Sequence, residues 1–305
     1  MKDLWVEKYR PNTADEYVFI DNNQREQVEQ WIKEGHIPHL LLSGGPGTGK
    51  TTLARMLIHE LGVDEYDVLQ VNASNETKVE TMRDKVLGFA STMPFGEFKV
   101  ILLDEADYLS QNSQALLRNA METYHASVRF IFTCNAPHKI IPALHSRCQG
   151  FHIAKQDHTE FTARVATVLV TEGMEFDLDT LDSYVKATYP DLRKCLNLVQ
   201  LNSQDGRLNK PREGDKSVGD WKLDAVELFK AGKIREARTL LCSQAAPEEM
   251  EDVFRWMYDN IELWGKSHEK QDEAIKIIRN GLVNHVSCSD AEINLSATII
   301  ELTQI

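Results

Sequence analysis

The sequence has no long hydrophobic run, no paired cysteines and no excess of positive charge. No apolar run approaches the ~20 residues that a membrane span needs, and the N-terminal residues show no signal-peptide core, so no membrane role is expected. The five cysteines form no CxxC pair and are odd in number. They are therefore expected to be free thiols in a reducing cytoplasm rather than zinc ligands or disulfides.

Negative charge dominates the chain and is unevenly distributed. The net charge is −13; residues 1–155 carry 16 Lys and Arg against 20 Asp and Glu, and the remaining residues carry 18 against 27. This excess of negative charge argues against a protein that binds nucleic acid non-specifically over its whole surface. Any contact with nucleic acid must come from a local basic patch, which we expect in the first half.

The first half of the chain alternates between strands and helices. Short apolar runs predict strands, and apolar residues at helical spacing predict helices between them. The strands are expected at 40–43, 68–72, 99–103 and 128–134, and the helices at 52–61, 76–92 and 111–124. Such alternation predicts an α/β domain, a parallel sheet with helices on both faces, whose ligands bind at the carboxyl ends of the strands.

After about residue 155 only helices are expected. Helical spacing covers 159–172, 178–188 and 191–201, a glycine- and proline-containing linker covers 203–220, and the rest is helical, with an apolar stripe on one helical face between Met250 and Trp264. A chain of 305 residues is long enough for three parts. We expect an α/β nucleotide-binding domain at 1–155, a small helical domain at 156–218 and a second helical domain at 219–305.

A glycine-rich segment between the first strand and the first long helix is typical of a phosphate-binding loop. Glycines let backbone N–H groups turn toward phosphate oxygens, and the following helix adds its positive N-terminus. Lys50 is expected to reach the β- and γ-phosphates, and the Thr51 hydroxyl to ligate Mg²⁺. The nucleotide-binding residues predicted here are Gly45, Pro46, Gly47, Thr48, Gly49, Lys50, Thr51 and Thr52.

Polar residues at the ends of two later strands complete this predicted site. Asp104 and Glu105 follow an apolar strand; Asp104 is expected to hold Mg²⁺ and Glu105 to activate the attacking water. Asn135 ends the next predicted strand, where its amide is expected beside the γ-phosphate. The sequence therefore predicts ATP binding with Mg²⁺, and hydrolysis.

Two arginines outside these strands are candidates for contacts with the γ-phosphate. Arg147 is the lone charge in its stretch and could stabilise transition-state charge in a neighbouring subunit's site; the alternative is a surface salt bridge. Arg193 lies in the first turn of a predicted helix that Pro190-Asp191 begins. It could contact the γ-phosphate of its own chain.

These residues, in this order, resemble the AAA+ ATPases and, more narrowly, the sliding-clamp loaders of DNA replication. The segment from Leu4 to Pro11 is similar to the N-terminal WVEKYRP box of replication factor C subunits. Ser146-Arg147-Cys148 resembles the SRC motif that supplies a trans-acting arginine in clamp loaders. The resemblance with specific motifs covers roughly residues 4–200.

The resemblance implies roles that spacing alone does not. Asn135 corresponds to the first sensor and Arg193 to the second, residues 156–218 to a helical lid, and residues 219–305 to a collar that holds a ring of five subunits. Such a ring opens a sliding clamp on primer–template DNA, which then triggers hydrolysis and release. The adenine and ribose side of the pocket would be lined by Val6, Glu7, Tyr9, Arg10 and Val18.

Which clamp loader the chain resembles depends on two features. Its compact length favours the T-even-type phage loader, with several copies of this chain and a different fifth subunit, in the cytoplasm of a bacterial host. The N-terminal box is closer to the archaeal and eukaryotic pattern, which stays the alternative and would place a eukaryotic subunit in the nucleus.

Contacts with the DNA backbone follow by position in the first domain. The resemblance implies that the helix after the second predicted strand and the helix after the Asp-Glu motif face the duplex. Each contact with a phosphate there would add affinity that falls as the salt concentration rises. Gln114, on the helix after the Asp-Glu motif, is a candidate relay between DNA and the ATP site. The candidate DNA-binding residues are Lys78, Arg83, Lys85, Arg118 and Lys139.

Three other functions compete with this interpretation. Another AAA+ motor, such as a helicase loader or a branch-migration helicase, is expected to lack the combined N-terminal box and SRC motif. A non-hydrolysing scaffold subunit would be expected to lose the loop lysine or the motif glutamate, and this chain keeps Lys50 and Glu105. A generic P-loop kinase leaves Arg147, Arg193 and the helical second half without a role.

Overall fold

The structure is a computed structural model that describes residues 4–75, 79–153, 157–209, 221–244, 250–265, 267–285 and 287–304. It divides into two compact units. The first contains the residues up to Val168 together with Pro190–Arg193, and the second contains Leu169–Tyr189 together with the residues from Lys194 onward. The three-domain division that the sequence suggests stays a prediction.

A five-stranded parallel sheet forms the centre of the first unit. The strands are ordered β2-β3-β4-β1-β5, so the two strands that carry the predicted carboxylates and amide are adjacent, and β4 pairs with β1. The bounds are β1 (Leu40–Gly44), β2 (Val68–Asn72), β3 (Lys99–Asp104), β4 (Val128–Cys134) and β5 (Gln149–Ile153).

Seven of the α-helices that the structure describes belong wholly or mainly to this unit. The Asp21 carboxylate accepts a hydrogen bond from the Gln24 backbone N–H at 2.8 Å and so caps the start of the second helix; Gly35, directly after the end of that helix, has a left-handed conformation. The bounds are α1 (Trp5–Lys8), α2 (Asn22–Glu34), α3 (Lys50–Glu60), α4 (Val79–Ala90), α5 (Gln111–Thr123), α6 (Pro142–His145) and α7 (His158–Thr171).

Alternate residues of each central strand pack on opposite faces of the sheet. In β3, Ile101 and Leu103 join a core with α4 and α5, whereas Val100 and Leu102 join a core with α2 and α3. This two-residue alternation explains why the strands are apolar throughout, as a sheet covered on both faces requires. Helices on both faces confirm the predicted α/β class.

The fifth strand is missing from the sequence prediction. β5 lies at the sheet edge beside β1, and only Phe151 and Ile153 of its side chains are buried. Its Gln, Gly and His residues weaken the apolar signal that marks a strand. The predicted helix 76–92 is α4, whose described part runs from Val79 to Ala90.

The second unit is mainly helical. Its only described strands form a small antiparallel pair inside the segment predicted as a linker, which corrects that prediction for residues 203–208. The bounds are α8 (Leu178–Thr188), α9 (Leu192–Asn202), β6 (Ser203–Gln204), β7 (Arg207–Leu208), α10 (Trp221–Lys230), α11 (Ile234–Gln244), α12 (Met250–Asp259), α13 (His268–His285) and α14 (Ala291–Leu302).

The apolar stripe predicted between Met250 and Trp264 is buried, but it does not lie on one helix. α12 ends at Asp259, and Trp264 follows a separate 3₁₀ turn. The prediction of a single helical face was therefore wrong, although both ends of the stripe join the same core with α10, α13 and α14.

Charged side chains connect α8 to α10 within this unit. The Asp182 carboxylate lies 2.8 Å from Lys230 Nζ and 3.1 Å from Lys186 Nζ. Burial alone would raise the pKa of Asp182, but hydrogen bonds and charge from both lysines outweigh it and lower that pKa. Among the helices that the structure describes, none combines the length and apolar character needed to cross a membrane.

Candidate active site

The glycine loop joins β1 directly to α3. Gly47 and Gly49 have φ angles of 72° and 94°, which glycine adopts without strain, and α3 begins at Lys50. Lys50 Nζ donates hydrogen bonds to the backbone oxygens of Gly44 at 3.0 Å and Gly45 at 2.5 Å. The loop therefore holds the lysine over its own backbone, where phosphate oxygens would meet it.

The environment of Lys50 is buried but acidic. Burial lowers the pKa of Lys50 and the charge of Arg193 adds to that shift, while the nearby carboxylates of Asp104 and Asp107 oppose it. Burial also raises the pKa of Cys134 to about 11, which leaves that thiol protonated and unreactive near neutral pH. On balance the pKa of Lys50 is lowered, so burial outweighs the nearby carboxylates, and phosphate oxygens would supply the negative charge that the ammonium needs there.

Tyr17 contacts the backbone of the glycine loop, a role that sequence reasoning missed. Its buried hydroxyl donates to the Gly49 backbone oxygen at 3.4 Å, and a Cβ built on Gly49 would lie 3.1 Å from that hydroxyl. Burial raises the pKa of Tyr17 well above its ordinary value. No local pattern marks this contact, because the residues are far apart in the sequence.

Asp104 is the centre of a hydrogen-bonded group at the end of β3. Its Oδ1 accepts hydrogen bonds from Thr51 Oγ1 at 2.8 Å and from Thr133 Oγ1 at 2.5 Å. Carboxylate and hydroxyl oxygens are the hard ligands that Mg²⁺ prefers. The predicted metal residues Asp104 and Thr51 therefore lie together and fit that ion; Thr133 was not predicted.

Glu105 has a strained backbone at the point where a catalytic carboxylate is expected. Its φ of 56° lies in the left-handed region, and its N–H donates to Thr133 Oγ1 at 3.0 Å. Non-glycine residues in this region cost on the order of 1–3 kcal/mol and cluster at functional sites. The hydroxyl of Thr133 thus joins Asp104 and Glu105 into one unit.

Asn135 follows β4, beside the end of β3. The N–H groups of Asn135 and Ala136 donate to the two carboxylate oxygens of the buried Asp107, each at 3.3 Å. This pair of bonds fixes the backbone after β4 and leaves the Asn135 side chain at the cavity. Asp107 supports Asn135 in a way that sequence analysis did not anticipate.

A cavity of about 110 Å³ brings most of the predicted catalytic residues together. Arg193 is among its lining residues and belongs to the same compact unit as the glycine loop. The cavity is lined by Pro46, Gly47, Gly49, Lys50, Thr51, Thr52, Asp104, Glu105, Thr133, Cys134, Asn135 and Arg193.

Arg147 is the one predicted catalytic residue that does not line this cavity. It is exposed after α6, where its NH1 group donates to the Ala143 backbone oxygen at 2.8 Å and its NH2 group forms an ion pair with Glu122. The sequence left open a trans-acting arginine or a surface salt bridge. The structure shows the salt bridge within the chain, and the catalytic role stays a prediction.

The predicted adenine and ribose residues lie near the N-terminus, outside the cavity. Arg10 NH2 pairs with Glu7 at 2.7 Å, and the Tyr9 backbone oxygen accepts a hydrogen bond from Arg164 at 2.9 Å. Val18 is buried and Val6 is half-buried. Their contact with the nucleotide stays a prediction.

The predicted DNA-binding residues are distributed over α4, α5 and the segment after β4. Arg83 and Lys85 are exposed on α4, and Arg118 is half-buried on α5. Lys139 lies over the Tyr108 ring, with its Nζ 5.8 Å from the centroid. Lys78 lies outside the described residues.

Gln114 connects α5 to the segment that follows Asn135. Its Nε2 donates to the backbone oxygens of Leu109 and Lys139, each at 3.1 Å, and its Oε1 accepts from the Ile141 N–H at 2.8 Å. All three bonds go to backbone, and the side chain is 1% exposed. Its connection to DNA stays a hypothesis.

Fold and site together define a P-loop ATPase of the AAA+ class. Residues 40–156 match the ATPase family associated with various cellular activities. The chain is 34% identical to the replication factor C small subunit of Aeropyrum pernix over 98% of this chain and 95% of that protein. It belongs to the family of replication factor C small subunits, the clamp-loader ATPases.

Other relatives agree with this assignment, and a solved structure agrees with the fold. The replication factor C small subunit of Picrophilus torridus is 32% identical over 86% of this chain and 85% of that protein, and that of Sulfurisphaera tokodaii is 41% identical over 67% and 64%. The RuvB branch-migration motor of Thermotoga maritima superimposes with a TM-score of 0.55 at 19% identity, covering 66% and 69% of the two chains. That likeness shows the fold alone. The T-even-type phage assignment stays a prediction.

Proposed function

We propose that this chain is an ATPase subunit of a clamp loader, in which ATP favours a ring that grips and opens a sliding clamp. Primer–template DNA then triggers hydrolysis and release of the clamp. One observation carries the proposal: Lys50, Glu105, Asn135 and Arg193 line one cavity, whereas Arg147 lies elsewhere on the surface. An arginine with a catalytic role at that position must act on the site of a neighbouring subunit.

Each residue of the cavity has a different role in binding and hydrolysing ATP. Lys50 exchanges its two backbone acceptors for phosphate oxygens, and the N–H groups of the loop bind the remaining charge. Glu105 orients the attacking water and accepts its proton. Asn135 and Arg193 contact the γ-phosphate, and Arg147 of the adjacent subunit offsets the charge that develops there.

Mg²⁺ fits beside Asp104 and Thr51, where it would neutralise charge on the β- and γ-phosphates. Thr133 holds the Asp104 carboxylate and the Glu105 backbone in fixed relation. Because this group is already arranged before substrate arrives, little reorganisation is needed at the moment of reaction.

An exposed apolar surface supports a protein partner for this unit. Met93 and Phe95, between α4 and β3, are 88% and 79% exposed, and the Phe95 ring lies 5.8 Å from that of the exposed Tyr66. The buried Asp67 accepts a hydrogen bond from the Gly96 N–H at 2.7 Å and holds this loop. Grouped exposed aromatic and methionine side chains are typical of interaction sites, and we assign this surface to the clamp.

The test is steady-state ATP hydrolysis by the chain assembled with its partner subunit and clamp, with and without a primer–template oligonucleotide. We expect stimulation by DNA and clamp together, and the Arg147→Ala variant should lose that stimulation while it still binds ATP. Arg55→Ala, at an exposed position on α3, is the matched control. Hydrolysis indifferent to both DNA and clamp would refute the clamp-loader function and leave the ATPase intact.

A further inference from the structure

The guanidinium of Arg147 is held by two different elements of its own chain. The backbone oxygen of Ala143, in α6, accepts from NH1 at 2.8 Å, and the carboxylate of Glu122, in the last turn of α5, pairs with NH2. A weaker contact of NH1 with Ser146 Oγ is 3.4 Å long. An arginine has five N–H groups, so at least two remain for a phosphate.

The helix that carries Glu122 is rigidly seated. Leu117, Ala120 and Met121 of α5 are buried in the core against the sheet. Gln114, on the same helix, binds the backbone of Lys139 and Ile141. Glu122 follows Gln114 by eight residues, about 12 Å along the helix axis. α5 therefore contacts both ends of the segment 139–147, through Gln114 at its start and through Glu122 at Arg147.

Stability alone does not account for the Glu122 ion pair. The side chains of Arg147 and Glu122 are 35% and 52% exposed. Ion pairs this open to solvent contribute little to folding, because water screens them and two long side chains must be ordered. What the pair does achieve is to fix the position of a flexible side chain before it meets its target.

We propose that Glu122 is a positioning residue that orients Arg147 for the ATP site of the neighbouring subunit. The inference rests on the proposed function, because it requires Arg147 to act in trans. Glu122 contacts no substrate; it restricts the guanidinium to one arrangement and leaves the remaining N–H groups for the γ-phosphate. Its removal should lower the rate at the neighbour's site and leave nucleotide binding at its own site unchanged.

The first experiment compares Glu122→Gln, which keeps the size and removes the charge, with the wild type in the assembled complex on a primer–template oligonucleotide. Displacement of a catalytic group by about 1 Å costs up to about 100-fold in rate, so we expect kcat to fall about 10- to 100-fold with KM for ATP and the melting temperature unchanged. Glu122→Asp keeps the charge and should recover part of the loss. Glu29→Gln, at an exposed position on α2, is the matched control.

The second experiment mixes variant subunits to separate positioning from a defect within one chain. Glu122→Gln chains retain Glu105, and Glu105→Gln chains retain the Arg147–Glu122 pair, so a mixed ring contains some intact sites. With random assortment in equal mixtures, about a quarter of the interfaces between copies of this chain are intact, and activity should recover to that order. Neither variant alone should show it.

The mixture of Arg147→Ala with Glu105→Gln tests the trans-acting role of Arg147 separately from the positioning role of Glu122. If this mixture fails to recover activity, the trans-acting arginine and the proposed function are refuted. If it recovers and the Glu122→Gln mixture does not, only the role of Glu122 is refuted. An unchanged or increased rate for Glu122→Gln would likewise overturn the inference, since the pair would then be neutral or restraining.

Discussion

Replacement of Gln114 by methionine tests whether the junction between α5 and the segment after β4 depends on hydrogen bonds. Methionine has nearly the same size, so the change removes polar partners without a large cavity. Three backbone groups lose their bonds to this side chain: the oxygens of Leu109 and Lys139 and the N–H of Ile141. Methionine has no donor for the two oxygens, and its thioether sulfur is only a weak acceptor for the N–H.

The magnitude follows from the burial of those groups. A buried polar group left without a partner costs about 1–3 kcal/mol, and two of the three bonds are only partly buried. We therefore expect Gln114→Met to lower the free energy of unfolding by about 2–4 kcal/mol. For a unit of this size that corresponds to a melting temperature lower by roughly 5–15 °C.

Urea unfolding and thermal melts measure this change directly. Gln111→Met is the matched control, because Gln111 lies on the same helix and is exposed; it should change stability by less than about 0.5 kcal/mol. If Gln114→Met is no more destabilising than Gln111→Met, the junction does not depend on these bonds. ATP hydrolysis by the folded variant should also fall, because the junction fixes the backbone between Asn135 and Arg147.

Three further predictions concern the site and its support. Gly44→Ala should weaken ATP binding at least about 10-fold, because its Cβ would lie 2.0 Å from a backbone oxygen of β5; Gly62→Ala, with open space around it and a φ of 62°, is the control that should leave titrations with a fluorescent ATP analogue unchanged. Thr133→Val should lower kcat at least about 10-fold, because valine removes both the hydrogen bond from the Glu105 N–H and the one to Asp104 Oδ1. An unaltered kcat would contradict that role. Burial lowers the pKa of His39 from 6.5 to about 4, so between pH 6.5 and 4 protons bind preferentially to the unfolded chain, and the melting temperature falls as the pH is lowered. The melting temperature of His39→Gln should fall less steeply over this range. Parallel curves for the variant and the wild type would show that His39 does not cause the fall.

Some features of the site are local and could be predicted from the sequence. The glycine loop, the apolar strand before Asp104 and the helix after Lys50 each occupy consecutive residues with a recognisable period or composition. The four predicted strands of the sheet are present for the same reason. Because parallel strands end at one edge, residues that end neighbouring strands meet there.

Other features of the site depend on pairings between residues distant in the sequence. Tyr17 reaches Gly49 and Thr133 reaches Asp104 only after the strands have taken their order. β5 escaped prediction because an edge strand needs few apolar residues, and only two of its side chains are buried. No local period marks such contacts.

The sequence by itself determined the nucleotide-binding chemistry of this protein, because the groups that meet phosphate and metal lie in short motifs whose backbone conformation is local. Only the tertiary structure decided how those groups are supported and which arginine lies apart from them. Arg193 lines the cavity, whereas Arg147 is paired with Glu122 on the surface. The physical reason is that the sheet order and the packing of α5, set by burial over the whole first unit, decide which side chains converge on one site.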